Sequence, residues 1–404
     1  MHKAVFVVFG GSGDLFKGKV APALTRLVRE GELAEGSVIV GISRKELDDG
    51  RYRSLLEEKM DSEQKESLGK LVVRYYRGDG SVEGSLEGLK GILEGYDSSF
   101  QKVFYFCVSP LLYRPIAEQL FYYGLVNSEG KLVFEKPFGV SLRNAEELHS
   151  FLEERFSDER LFFLDHYLGK VGVQQFLEFR RRQTQFEQLL RTGELKKLVI
   201  RVNETTGLDG RLALYDSLGA VRDMFQNHLL QVLSLVLVDS PTVEPEDVSA
   251  VKEEGLRSLS VSSEQQVFGQ YRGYVDALVA LGMPVSRTET FVHAVLQSSQ
   301  ERWKGIPFVL ETGKKLDKKR SEMVFEFAKG FMGSTAFTFD LANPRGARDE
   351  YAVLFEDVLL GRKEWFVTFE EIKESWRIAE ELLAVKEKGE VVRYAEGSGA
   401  EEIR

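Results

Sequence analysis

The run Lys3–Phe9 is apolar along almost its whole length and stops on Gly10-Gly11-Ser12-Gly13-Asp14-Leu15. A strand with no polar face must be covered on both sides, which points to a parallel sheet between layers of helix. A helical stretch follows, with Pro22 suited to its first turn, Leu24, Leu27 and Val28 on its apolar side and Gly31 at its end. Ser37–Ile42, Leu71–Tyr76, Lys102–Cys107, Lys131–Phe134 and Leu161–Leu164 repeat the strand pattern. The amphipathic stretches Leu86–Leu93, Arg114–Tyr123 and Asn144–Phe156 lie between them. Strands alternating with helices in this way form βαβ units, so the N-terminal part is expected to be an α/β, doubly wound, Rossmann-type domain over residues 1–165.

Past Leu164–Gly169 the style changes. Gln174–Leu190 and Leu218–Val238 have helical patterns, whereas Leu198–Val202, Met323–Phe327 and Ala336–Phe339 have the composition of strands. Ser258–Ser263 and Leu281–Arg287 read as loops or short connections. Segregated strands and helices imply an α+β domain with a mostly antiparallel sheet, expected over residues 166–404.

The balance of 64 acidic against 54 basic residues gives a net charge of −10, which argues against nucleic acid as a partner. An anionic small ligand is not excluded, because it needs only a few local cations. The longest apolar runs, Val5–Phe9 and Leu229–Val238, fall short of the ~20 residues of a membrane span, and the N-terminus has no signal-like segment. A single cysteine, Cys107, excludes a disulfide within the chain and a cysteine-rich zinc site. A soluble cytoplasmic protein without a metal is the expectation.

Glycines at the first strand-to-helix turn of such a sheet let backbone amides approach a pyrophosphate, so Gly10, Gly11, Ser12, Gly13, Asp14 and Leu15 are the expected dinucleotide turn. The spacing departs from the usual fingerprint, since Phe16 stands in place of its third glycine. After the second strand comes Ser43-Arg44-Lys45 rather than an acid. A guanidinium suits a ribose 2′-phosphate, so Arg44 favours NADP, with NAD as a weaker alternative.

Two polar clusters close later strands, Glu135-Lys136-Pro137-Phe138-Gly139 and Asp165-His166-Tyr167-Leu168-Gly169-Lys170. Ligands of open α/β sheets sit at the carboxyl ends of the strands, where both clusters fall. Lys136, before a proline, is held extended with an ammonium able to bond a sugar hydroxyl. A third group, Asp223-Met224-Phe225-Gln226-Asn227-His228, lies in a helical pattern. On an α-helix positions five apart differ by roughly 140°, so Asp223 and His228 do not share a face there.

Together with Arg222–Gln231, these blocks resemble the signature blocks of the glucose-6-phosphate dehydrogenase family. Weaker similarity continues through Thr290-Phe291, Trp303–Phe308, Gly313–Leu316, Ser375-Trp376-Arg377 and Gly397-Ser398, in order over essentially the whole chain. The resemblance implies oxidation of β-D-glucose 6-phosphate at C1 to the 1,5-lactone with hydride transfer to NADP, in the oxidative branch of the pentose phosphate pathway. It implies His228 as general base, Asp165 as the carboxylate that orients and stabilises it, and Lys136 as a lysine binding both sugar and cofactor. It further implies His166, Tyr167 and Lys170 as holders of the phosphate and nearby sugar oxygens. Glu204 and Asp223 match sugar-hydroxyl acceptors, and Lys314 and Lys319 match substrate-contacting cations. A homodimer formed through the second domain is implied as well.

The chain departs from the family pattern at Gly210–Asp216, at Ser109-Pro110 and at Lys315, and it looks shortened between Asp239 and Thr290. Two alternatives therefore stay open, a dehydrogenase of another aldose or aminosugar 6-phosphate and a non-catalytic NADP-binding sensor. The presence of His228, Asp165 and Lys136 counts against the second.

Overall fold

A computed structural model describes residues 1–208, 210–239, 247–263 and 266–403. It divides into two compact units, Met1–Gly139 with Arg143–Gly169 and Arg348–Phe369, and Val140–Leu142 with Lys170–Ala347 and Glu370–Arg404.

The first unit is built on six strands, β1 (Ala4–Phe9), β2 (Val38–Ser43), β3 (Val72–Arg77), β4 (Gln101–Phe106), β5 (Lys131–Phe134) and β6 (Leu161–Phe163). Their order is β3-β2-β1-β4-β5-β6, and every pairing is parallel. This is the expected doubly wound sheet, and each strand lies within a residue or so of its sequence pattern. All of β1 is buried, as its apolar run requires. The order reverses between β1 and β4, which opens a crevice at the carboxyl ends of those strands.

One layer of the core joins Phe6, Leu24, Leu27 and Tyr105 to Tyr351, Phe355 and Val358 of the helix Glu350–Leu360. The Phe355 ring meets Phe6 and Tyr105 edge-on at 5.9 and 5.1 Å. Burying each such side chain contributes about 1.5–3 kcal/mol, so this late helix is a structural part of the first unit. Asp349 caps it, accepting the amides of Tyr351 and Ala352 at 2.9 and 3.4 Å.

Tyr52, fully buried, lies with its ring directly on Gly41 of β2, where an added Cβ would come within 2.1 Å of the ring. Its hydroxyl donates to the Gly11 carbonyl at 3.0 Å and so fixes the glycine turn from below.

The second unit holds β7 (Leu195–Asn203), β8 (Leu259–Val261), β9 (Val267–Tyr271), β10 (Phe291–Ser298), β11 (Phe308–Gly313), β12 (Arg320–Phe331), β13 (Ser334–Asp340) and β14 (Val391–Tyr394). The order is β13-β12-β7-β11-β10-β9-β14, with β8 beside β10. Among the described residues, only the β7–β11 and β9–β14 strand pairings are parallel, so the sheet is mixed and mostly antiparallel. The segment read as a loop at Ser258–Ser263 contains β8, a short strand whose few residues show no alternation. Gln174–Leu190 is two helices, Val171–Arg182 and Thr184–Arg191. Leu218–Val238 is interrupted at Gly219 (φ 71°) and runs on as a π-helix, Val221–Leu229, and an α-helix, Leu230–Leu237. Among the described residues, no helix is long and apolar enough to cross a membrane.

Because the Tyr52 ring fills the space above Gly41, Gly41→Ala is expected to destabilise the chain by about 1–3 kcal/mol, read as a lowered urea midpoint. An unchanged midpoint would mean that the ring yields without cost.

Candidate active site

The turn after β1 is shaped by its own hydrogen bonds. The amides of Gly10 and Gly11 donate to the Ile42 carbonyl at 2.9 and 3.1 Å, and that of Gly13 to Gly10 at 2.8 Å. The amides of Ser12, Asp14 and Leu15 take no part in these bonds, and Asp14 and Leu15 open the following helix. Gly10 sits at φ 83°, and a Cβ there would lie 2.1 Å from the Cys107 carbonyl oxygen, so the backbones of the two strand ends touch only because the side chain is absent. Phe16, in place of the third glycine, is fully buried, and the helix winds as a π-helix over Phe16–Val20.

A cavity of about 400 Å³ opens above the turn, lined by Gly10, Ser12, Gly13, Arg44, Lys45, Asp79 and Cys107 among others. Bare backbone beside a guanidinium and an ammonium suits a phosphorylated dinucleotide. Asp79, just past β3, escaped the sequence reading. Its carboxylate accepts from the Ser81 amide at 3.0 Å and the Ser81 hydroxyl at 2.7 Å; those bonds, aided by Arg44, hold its pKa below the usual range. The Gly78-Asp79-Gly80 step at a strand end is the signal that could have found it.

The ends of β5 and β6 carry the next groups. The Lys136–Pro137 peptide is cis, and Lys136 is half-buried. Glu135, buried, accepts from the Tyr105 hydroxyl at 2.6 Å and from the Lys136 amide at 3.3 Å, and its main-chain carbonyl accepts from the Tyr113 hydroxyl at 2.8 Å. Burial pushes its carboxyl up to about 6; the Tyr105 bond and the Lys136 charge oppose the rise, and the charge of Asp165 adds to it. Asp165, 2% exposed, accepts the Tyr167 amide at 2.9 Å, and its carbonyl accepts the Leu168 amide at 3.0 Å. The His166 ring stacks on Tyr351 at 5.8 Å with 12° between planes. Glu135 opens a block that the sequence marks but has no role assigned there, and Tyr351 carries no local motif at all.

In the second unit the π-helix changes the geometry expected at Asp223 and His228. Its i→i+5 winding brings residues five apart onto one side, so the 140° separation of an α-helix does not apply. His228 is fully buried, and its amide donates to Asn227 Oδ1 at 2.8 Å. The start of the π-helix is held by Glu289, whose carboxylate accepts the Val221 amide at 3.0 Å and the Lys386 ammonium at 2.6 Å. Lys314, at the end of β11, is buried with its Nζ 3.0 Å from Glu204 and 3.6 Å from Asp223. Three residues matched separately in the sequence thus meet in one place. Lys170 stands just ahead of the helix Val171–Arg182. Lys319 is exposed on the turn into β12 and joins no ion pair among the described residues.

The family model described as "Glucose-6-phosphate dehydrogenase, NAD binding domain" matches residues 7–175, and "Glucose-6-phosphate dehydrogenase, C-terminal domain" matches residues 177–337. The chain belongs to the glucose-6-phosphate dehydrogenase family. The glucose-6-phosphate 1-dehydrogenase of Rhizobium meliloti (strain 1021) is 35% identical over 349 residues, covering 80% of this chain and 70% of the relative. That of Mycolicibacterium smegmatis is 32% identical, covering 94% of this chain and 90% of the relative. A solved glucose-6-phosphate dehydrogenase in complex with its substrate glucose-6-phosphate has a TM-score of 0.84 at 27% identity, covering 99% of this chain and 95% of that one. The family's two parts meet at residues 175–177, close to where strands and helices stop alternating.

Withdrawing the Lys314 ammonium would leave the Glu204 and Asp223 carboxylates without the cation they share. Lys314→Met is therefore expected to cost about 1–3 kcal/mol of stability, seen in the denaturant midpoint at neutral pH. A midpoint equal to that of the parent would show that the two carboxylates are solvated well enough to do without it.

Proposed function

We infer that this chain is an NADP-dependent oxidoreductase that oxidises β-D-glucose 6-phosphate at C1 to 6-phospho-D-glucono-1,5-lactone, the oxidative step of the pentose phosphate pathway. The observation that carries this reading is the family match over both units, with every side chain of the family's proton-transfer set present at its matching position.

The residues fit the nucleotide. The glycine turn Gly10–Leu15 lets a pyrophosphate approach the backbone at the start of the helix, and Arg44 beside the same cavity supplies a partner for the 2′-phosphate. When bound, the nicotinamide accepts the hydride from C1. The chain's own task is to bind, orient and move protons. His228 takes the proton of the C1 hydroxyl, which a neutral imidazole does well near pH 7. Asp165 is the carboxylate that stabilises the resulting imidazolium. Lys136 bonds the sugar and places it against the cofactor. His166, Tyr167 and Lys170 supply donors for the 6-phosphate. Glu204 and Asp223 accept from sugar hydroxyls, with Lys314 and Lys319 as cations toward the substrate. In this reading the first unit binds the dinucleotide, the second unit binds the sugar and forms a homodimer, and the protein works in the cytoplasm.

Reduction of NADP followed at 340 nm with glucose 6-phosphate, glucosamine 6-phosphate and free glucose tests the substrate; a faster rate on glucosamine 6-phosphate would reassign it. His228→Asn is expected to lower kcat by about 10²–10⁴ while KM for the sugar phosphate stays within a small factor. A variant that keeps near-parental turnover would remove His228 from proton transfer. Arg44→Ala should raise KM for NADP about tenfold and leave KM for NAD almost unmoved, as the loss of a charge-assisted phosphate contact requires. Equal rises would mean that Arg44 does not read the 2′-phosphate.

A further inference from the structure

The buried ammonium of Lys314 has a third neighbour, besides Glu204 and Asp223, to which the mechanism above gives no task. Its Nζ stands over the ring of Tyr215, 5.6 Å from the centroid, on the helix Leu212–Ala220. Within about 6 Å a cation is drawn to the electron-rich face of an aromatic ring. Tyr215 is 5% exposed and packed in one core with Leu212, Tyr274, Phe291 and Leu316, so the ring has no room to turn away. Its hydroxyl makes only a long hydrogen bond, 3.4 Å, to the Glu289 carbonyl. The face is therefore the part of this side chain that meets the cation.

The main chain of Lys314 is fixed separately. Its amide donates to the Thr290 carbonyl at 2.9 Å, and its carbonyl accepts the Tyr394 hydroxyl at 2.7 Å. Placing the ammonium is left to the two carboxylates, at 3.0 and 3.6 Å, and to the ring. The carboxylates are partly open, with 32% and 22% of their side chains exposed against 6% for Lys314. In the reading above they also accept from sugar hydroxyls, so the ammonium must share them. The ring has no second duty.

We propose that Tyr215 is a positioning residue, whose ring face holds the Lys314 ammonium in place while Glu204 and Asp223 engage the sugar. The proposal rests on the reading of those three residues as substrate contacts. An aliphatic side chain could fill the same volume but would leave the buried charge against hydrocarbon, which is costly.

A series at position 215 tests this. Tyr215→Phe keeps the face and removes the hydroxyl, and phenylalanines carrying one, two and three fluorines at the same site keep the shape while draining the face of electron density. KM for glucose 6-phosphate is expected to stay within about twofold in Tyr215→Phe. It should then climb with each fluorine, to about three- to tenfold at three, while KM for NADP stays within about twofold. A merely structural role would follow side-chain volume, which changes little along the series. In a second readout, nitrogen relaxation of the lysine-labelled, ligand-free protein gives the order parameter of the Lys314 ammonium, assigned by the loss of its signal in Lys314→Met. That order parameter should fall along the same series. Either quantity staying flat would overturn the proposal. So would the full rise in KM in Tyr215→Phe itself, because the hydroxyl would then be the group that matters. If the parent oxidises no sugar phosphate, the functional reading fails, and the order parameter alone decides whether the ring holds Lys314.

Discussion

A parallel sheet delivers the end of every strand to one edge, and the chemistry of the first unit depends on that. The six strands of that sheet run the same way, so Gly10, Arg44, Asp79, Cys107, Glu135 and Asp165 arrive side by side although more than 150 residues separate the first from the last. Hydrocarbon holds the edge in place. The buried β1, the Tyr52 ring on Gly41 and the Phe355 contacts to Phe6 and Tyr105 leave the strands little freedom to slide. Since a one-residue slip would turn every side chain to the opposite face, this packing also fixes which polar groups face the cavity.

The second unit arranges charge rather than backbone. Several of its buried ions have a partner of opposite charge: Lys314 with Glu204 and Asp223, Glu289 with Lys386, and Lys252 with Glu371 at 2.8 Å. Pairing of this kind is what permits ions to be buried at all. The π-helix Val221–Leu229 adds a second device. Its wider winding sets a buried imidazole and a carboxylate on one side, which a regular helix of the same sequence would not do.

Much of this was legible beforehand, for physical reasons. The strands of the first unit are continuous apolar runs bounded by glycine or polar clusters, so they were placed within a residue or so. The glycine turn, Arg44 and the blocks at Lys136 and Asp165 sit at strand ends, where composition and position point the same way. Other features leave no such trace. A π-helix and an α-helix share composition, and the difference at Asp223 and His228 lies in backbone winding alone. The edge strand β8 is too short to alternate. Tyr351 lies far along the chain from His166 and stacks on it only because the helix Glu350–Leu360 packs on the first sheet. Nothing in the composition of that helix announces its place.

The central claim is a hydride taken from C1 of the sugar. Turnover of glucose 6-phosphate deuterated at C1, followed by NMR of the reduced nucleotide, tests it directly. The account predicts deuterium at C4 of the nicotinamide and a slower rate than with the protiated sugar. Deuterium retained on the sugar or lost to solvent, with NADP still reduced, would contradict it.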